Sequence, residues 1–247
     1  MNLLLVKPLA LFVAVAALGL TRAETIDDIA RYHVAAIGGR AGIAAVDSLK
    51  ATGVVRAGGR ELSFEMLAQR PNRVRIETRS DGKSLVQGWD GAAPPWRFEP
   101  EKSPLAQPMP EAEARAFAGD AEFDDPLIGG RARGYTLDYA GELDWQDRPV
   151  WRVLVTRLGE PAFSLLVDRE TYFIVARVSA RPRPTGAPVP IEERYSDFRP
   201  VGGVILPFRI ETLIDGQPTQ ETVLDKMEPQ PHLPLAKFAR ASAPAGE

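Results

Sequence analysis

Between Arg60 and Pro100 the chain alternates apolar and polar side chains with a period of two, in three consecutive segments. Residues 60–69 place Leu62, Phe64 and Met66 on one side and Glu61, Ser63 and Glu65 on the other. In residues 73–80, Val74 and Ile76 alternate with Arg73, Arg75, Glu77 and Arg79. A third run ends at Trp89, and turn residues separate the three: Arg70-Pro71-Asn72 and Asp81-Gly82. Successive side chains of a strand point to opposite faces, so this pattern excludes a helix and predicts an antiparallel meander with one apolar face.

The same period recurs along most of the chain. Strands are predicted at 49–57, 60–69, 73–80, 83–89, 133–140, 149–158, 161–168, 172–180, 191–198, 204–214 and 219–227, so roughly 10–11 in all. Trp151, Val153 and Val155 alternate with Arg152 and Thr156, and Phe163, Leu165 and Val167 share a face. One helix opens the chain after the Thr25 cap and stops at Gly38-Gly39. Prolines crowd residues 92–110 and forbid a central strand there. Two short helices are predicted after them, at 111–118 and 123–130. Residues 181–190 are predicted as an exposed proline-rich loop.

The first 23 residues read as an export signal. Lys7 precedes an apolar run from Pro8 to Leu20, and Thr21-Arg22-Ala23 supplies the cleavage site. That run falls short of the ~20 residues a membrane-spanning helix needs. The expected product is one soluble domain outside the cytoplasm, over residues 24–240, with a disordered tail at 241–247. Losing Lys7 and Arg22 takes the formal charge from −3 to −5, which argues against a nucleic-acid partner. The chain has no cysteine, so disulfides and thiol chemistry are excluded.

Catalytic and metal chemistry find little support. The two histidines, His33 and His232, are far apart in the chain and are not expected to share a metal. Asp120, Glu122, Asp124 and Asp125 lack the spacing of an EF-hand loop and read as a solvated face. No phosphate-loop glycine pattern and no Gly-x-Ser-x-Gly elbow occurs. No cofactor, no metal and no catalytic residue is expected. The apolar face offers some three large side chains per strand, and the predicted helices supply too few to cover it. Either the sheet closes tightly on itself or it leaves a cavity for an apolar ligand. Arg70, beside a Pro-Asn turn, reads as a surface arginine or as a five-donor fork reaching a neighbouring loop.

Several of these features recur in a set order. A helix ends in Ile37-Gly38-Gly39; then come Gln69-Arg70-Pro71-Asn72, Trp89-Asp90-Gly91 with Trp96 and Pro100, Gly134-Tyr135, Val167-Asp168 with Tyr172, Tyr195-Ser196-Asp197-Phe198 and Leu206-Pro207-Phe208. The ordered set resembles the LolA-like family of outer-membrane lipoprotein-sorting proteins. The resemblance implies an incomplete, strongly curved antiparallel β-barrel with an N-terminal helix and a helical lid. It also implies a monomeric periplasmic carrier of lipid or lipoprotein acyl chains, working between an inner-membrane donor and an outer-membrane acceptor. Arg70 would then hydrogen-bond to the lid and hold it shut. The expected cavity lining is Leu62, Phe64, Met66, Val74, Ile76, Trp89, Trp96, Phe98, Trp151, Val153 and Phe163. The long proline-rich segment 181–190 and Ala92-Ala93-Pro94-Pro95 depart from the carrier pattern. A sensor or protein-interaction module on the same fold is the alternative.

Overall fold

The computed structural model describes residues 25–181, 183, 186–230 and 232–240. The export signal and the 241–247 tail lie outside them. Helix α1 (Ile26–Ala36) opens on a reciprocal capping box: Thr25 accepts from the Asp28 amide, and Asp28 accepts from the Thr25 amide. Gly38 ends it at φ 124°, and α2 (Gly39–Ala45) follows at once.

A meander then runs β1 (Ser48–Ala57), β2 (Arg60–Gln69), β3 (Arg73–Ser80), β4 (Lys83–Trp89), β5 (Trp96–Phe98) and β6 (Gln107–Pro108). Helix α3 (Glu111–Asp120) interrupts it. A second meander runs β7 (Thr136–Trp145), β8 (Arg148–Thr156), β9 (Phe163–Asp168), β10 (Ile174–Arg181), β11 (Val189–Val201), β12 (Val204–Ile214) and β13 (Gln217–Gln230). Several hairpins turn on two residues with positive φ, such as Asp81-Gly82 and Gln146-Asp147. Such turns match the right-handed twist of the flanking strands.

β13 lies antiparallel to β1, with Ser48 opposite Gln230, and this seam joins the two meanders. The result is one antiparallel sheet of thirteen strands, ordered β6-β5-β4-β3-β2-β1-β13-β12-β11-β10-β9-β8-β7. It is an incomplete barrel, because the edges β6 and β7 do not pair. The two strands beyond the expected count are β5 and β6, both inside the proline-rich segment. They sit at the rim of the sheet, where Pro108 has no ladder bond to donate.

Two further expectations are corrected. Residues 123–130 do not form a helix. They make turns, with the Leu127 amide donating to the Asp125 side chain at 2.8 Å, and a short 3-10 helix follows at Gly130–Arg133. A side-chain acceptor beside Pro126 competes with the helical ladder. The second face of the sheet is also not uniformly polar. Val150, Leu166, Val175 and Ala176 form a buried cluster there, flanked by Trp145, Val178 and Phe198.

The first face is the inner one. α1 buries Ile29 against Trp151, Val153, Val155, Leu165 and Val167. The α1–α2 corner adds Ile37 and Ile43 against Leu49, Ala51, Phe208 and Leu224. The corner is seated without slack: a Cβ on Gly42 would stand 2.4 Å from the Gly203 carbonyl oxygen. Gly42→Ala is therefore expected to destabilise the fold by about 1–3 kcal/mol in urea unfolding, since backbone must move to admit the methyl. Gly119→Ala in α3, where a Cβ meets nothing within 4 Å, is expected to be neutral or stabilising by up to ~1 kcal/mol.

Candidate functional site

The strand register sorts the inner face into rows. One row runs Tyr195, Ile210, Thr222, Val55 and Leu62 across β11, β12, β13, β1 and β2. Another runs Leu224, Gly53, Phe64, Thr78 and Leu85, and the next Met227, Ala51, Met66, Ile76 and Gln87. Paired residues of an antiparallel ladder share a face, so these rows form one surface.

The expected lining residues divide into three groups. Trp151 and Val153 are 2% and 0% exposed, and with half-buried Phe163 they pack under α1. Leu62, Phe64, Met66, Ile76 and Trp89 lie on the β2–β4 wing and are half-buried, with Val74 fully buried among them. Trp96 and Phe98 stand on the opposite face, because they pair with Gly88 and Val86 rather than with Gln87 and Trp89. There Trp96 packs with Val86 and Ala106, and its indole N–H donates to the Phe238 carbonyl at 2.9 Å. The inner face is thus filled on the β7–β9 side and partly open on the β2–β4 side.

Between the two sides runs the segment after α3, and it is held by charge. The four carboxylates that read as a solvated face each meet a cation on a different element. Asp120 pairs with Arg177 at 2.7 Å. Glu122 pairs with both Arg133 and Arg157. Asp124 takes a two-point contact from Arg70, Nη2 at 2.6 Å and Nε at 2.9 Å. Asp125 accepts from the imidazole Nε2 of His33 at 3.1 Å.

Arg70 does more than pair with Asp124. Its Nη1 donates to the Val46 carbonyl, its guanidinium lies 4.6 Å from the Phe123 ring centre, and the Phe123 amide donates to the Pro71 carbonyl at 3.0 Å. Arg133 donates to the carbonyls of Asp124, Asp125 and Ile128. Ala121 and Leu127 are buried beneath this net. Residues 121–130 are therefore a pinned plug.

α3 is different. It buries none of its residues. Its contacts to the sheet include Glu113 with Arg97 on β5 at 3.2 Å and Asp120 with Arg177 on β10. Both arginines belong to the inner face, since Arg97 pairs with Gln87 and Arg177 with Leu165. A ten-residue helix is about 15 Å long, so α3 reaches from one wing of the sheet to the other. Each tie includes a group more than a third exposed, and such pairs contribute roughly 0.2–1 kcal/mol.

Sequence reasoning missed the partners rather than the position of Arg70. Asp124, Arg133 and the His33–Asp125 pair gave no periodic or motif signal; the Asp-Asp-Pro triplet after a short helix was their only mark. His33 is 3% exposed, and its two nitrogens face acceptors: Nδ1 the Tyr172 carbonyl at 2.8 Å and Nε2 Asp125. A carbonyl only accepts, so Nδ1 carries a proton, and an ionised Asp125 requires one on Nε2 as well. His232 makes separate contacts, to Asp47 and Gln69.

Burial opposes the His33 charge, but the Asp125 carboxylate and the Tyr172 carbonyl outweigh it and raise its pKa. Burial likewise opposes the Asp125 charge, and His33 outweighs it and lowers that pKa. The pair's contribution is therefore complete between about pH 4 and 6.5, the unfolded values. It is lost as pH rises through the folded His33 pKa, and as pH falls through the folded Asp125 pKa. Unfolding free energy of the wild type is expected to drop on going from about pH 6.5 to 9, more steeply than that of His33→Gln. Parallel curves for the two proteins would remove the pair from the pH dependence.

No protein-family model and no curated protein matches the chain. Solved structures do. A LolA superfamily protein of Nitrosomonas europaea superposes with a TM-score of 0.58 at 13% identity, over 88% of this chain and 98% of its own. A DUF1329 family protein of Desulfovibrio piger gives 0.60 at 12% identity, over 87% and 98%. A Vibrio parahaemolyticus domain described as an outer membrane lipoprotein-sorting protein gives 0.59 at 10%, over 86% and 95%. At these identities the likeness is one of architecture: this chain has the fold of the LolA superfamily proteins.

Proposed function

We propose that the protein binds the acyl chains of lipoproteins or of another lipid, on the inner face of the sheet, as an exported periplasmic carrier. One observation carries this reading: half-buried apolar side chains on β2–β4 (Leu62, Phe64, Met66, Ile76 and Leu85) lie on the same inner face to which α3 is tied, and no residue of α3 is fully buried. A methylene moved from water onto such a surface gains about 0.8 kcal/mol. About ten methylenes would gain ~8 kcal/mol before ordering costs, well above the ~0.2–1 kcal/mol of each tie on α3. Lifting α3 exposes no core, whereas lifting α1 would uncover Trp151 and Val153. The acyl chain is therefore assigned to the β2–β4 wing, against Leu62, Phe64, Met66 and Ile76, and not to the wing under α1.

In this reading Arg70 is the latch of the plug rather than of α3. It joins the end of β2 to Asp124 and holds residues 121–130 as the fixed floor beside which α3 moves. The carrier reading includes no catalytic step and no cofactor. It draws support from the description of the Vibrio parahaemolyticus domain as a lipoprotein-sorting protein. Among the described residues no helix is long and apolar enough to cross a membrane. Donor and acceptor membranes on either side of the periplasm are the partners this reading requires.

The filled half of the inner face favours a second reading, a periplasmic sensor or protein-interaction module on the same fold. Native mass spectrometry of the protein purified from a bacterial periplasm separates the two. Co-purifying lipid, or uptake of a fluorescent acyl probe, is expected for the carrier; repeated absence of both would leave the second reading. Ile76→Glu is expected to weaken probe uptake at least tenfold, because a carboxylate on the open row must be desolvated against the chain. Arg70→Leu is expected to cost about 1.5–3 kcal/mol. It should also speed hydrogen exchange in residues 121–130, and unchanged exchange there would refute the latch.

A further inference from the structure

Resting on the lipid-binding reading, we propose that Arg177 is the receptor for the anionic headgroup of a single-chain amphiphile with one negative charge, such as a fatty carboxylate. Asp120 of α3 stands where that headgroup would bind.

Position is the first ground. Arg177 stands where the inner face changes character: its row runs one way through Leu165 and Val153 of the core and the other way through Glu193, Thr212, Gln220, Ala57 and Arg60. One row further in come Ile210, Val55 and Leu62, and beyond them Leu224 and Phe64. A charged half-row beside apolar rows is the surface an amphiphile matches, head on the cation and tail along the rows.

The second ground is the arginine itself. Its guanidinium lies over the Phe163 ring, 4.4 Å from the ring centre. Nη1 meets Asp120 at 2.7 Å and Glu193 at 3.5 Å, and the Tyr195 hydroxyl donates to Glu193 at 3.3 Å. Nε is buried and has no partner among the described residues. The fork therefore engages its carboxylate through one nitrogen and keeps a donor unused. A ligand carboxylate in place of Asp120 meets Nη1, and a second parallel bond, to Nε, requires the buried edge of the guanidinium to turn outward.

The third ground is exchangeability. The Asp120 side chain is 58% exposed, on a helix with no buried residue. Replacing it by a ligand carboxylate conserves the charge beside Glu193. Burial already pushes the Glu193 pKa up, with Asp120 adding to it, so a second negative charge on the headgroup would be disfavoured. Swapping the carboxylate would also release the C-terminal tie of α3. Binding of the head and opening over the apolar rows thus become one event.

The test compares oleate with oleyl alcohol, which shares the tail and lacks the charge, by displacement of a fluorescent acyl probe from lipid-stripped protein. Oleate is expected to bind wild type about tenfold more tightly than the alcohol, the scale of a charge-assisted hydrogen bond. Asp120→Asn, an exposed and structurally mild change, should widen that preference by removing the competing carboxylate. Arg177→Gln should erase it. Equal affinities in wild type, or a preference that survives Arg177→Gln, would overturn the assignment while leaving lipid binding intact. Failure of both ligands to bind would overturn it together with the carrier reading.

Discussion

The plug after α3 is held inside the curved sheet by a short acidic stretch that begins on the last residue of that helix. Residues 120–125 carry four carboxylates, and each draws a cation from a different part of the chain: Arg177 from β10, Arg133 and Arg157 from around β7 and β8, Arg70 from the end of β2, and His33 from α1. Charged groups partly removed from water are tolerable only when paired, so the plug exists in this place or not at all. By pinning it, the same contacts tie α1 to the second meander and the end of β2 to the α1–α2 corner.

That arrangement divides the molecule into parts of unequal firmness. Where α1 covers β7–β9, aliphatic and aromatic side chains interlock to near-complete burial. Where α3 reaches across, it offers two ion pairs and no fully buried side chain. Dispersion and hydrophobic burial scale with contact, so the first region resists opening and the second does not. The site proposed for the acyl chain lies where cover is lightest, on the half-buried side chains of the β2–β4 wing.

Much of the architecture was legible beforehand because its cause is local. Leu62, Phe64 and Met66 alternate with charged neighbours, and a period of two needs no tertiary context to be read. Thr25 with Asp28 marks a helix start through bonds made within one turn. The two strands that were missed, β5 and β6, are very short and proline-flanked, and only their neighbours make them strands. Trp96 and Phe98 were assigned to the inner face because they are large and apolar. Their face depends on pairing with Gly88 and Val86, across a proline-rich loop whose length carries no register. The acidic stretch misread for the same reason: a carboxylate looks alike in sequence whether water or an arginine from 54 residues away will meet it.

The chain's own local pattern dictates the class of fold, a predominantly antiparallel sheet with an apolar face, since side-chain alternation and turn residues act over a few bonds. It also singled out Arg70 beside its Pro-Asn turn. The tertiary structure alone decided which half of that apolar face is core and which is left lightly covered. It decided, too, that Arg70 meets Asp124 and that Arg177 meets Asp120. Those outcomes depend on the β1–β13 seam, which joins the two meanders into one sheet. No local pattern encodes a pairing between Ser48 and Gln230, because its free energy comes from everything that folds between them.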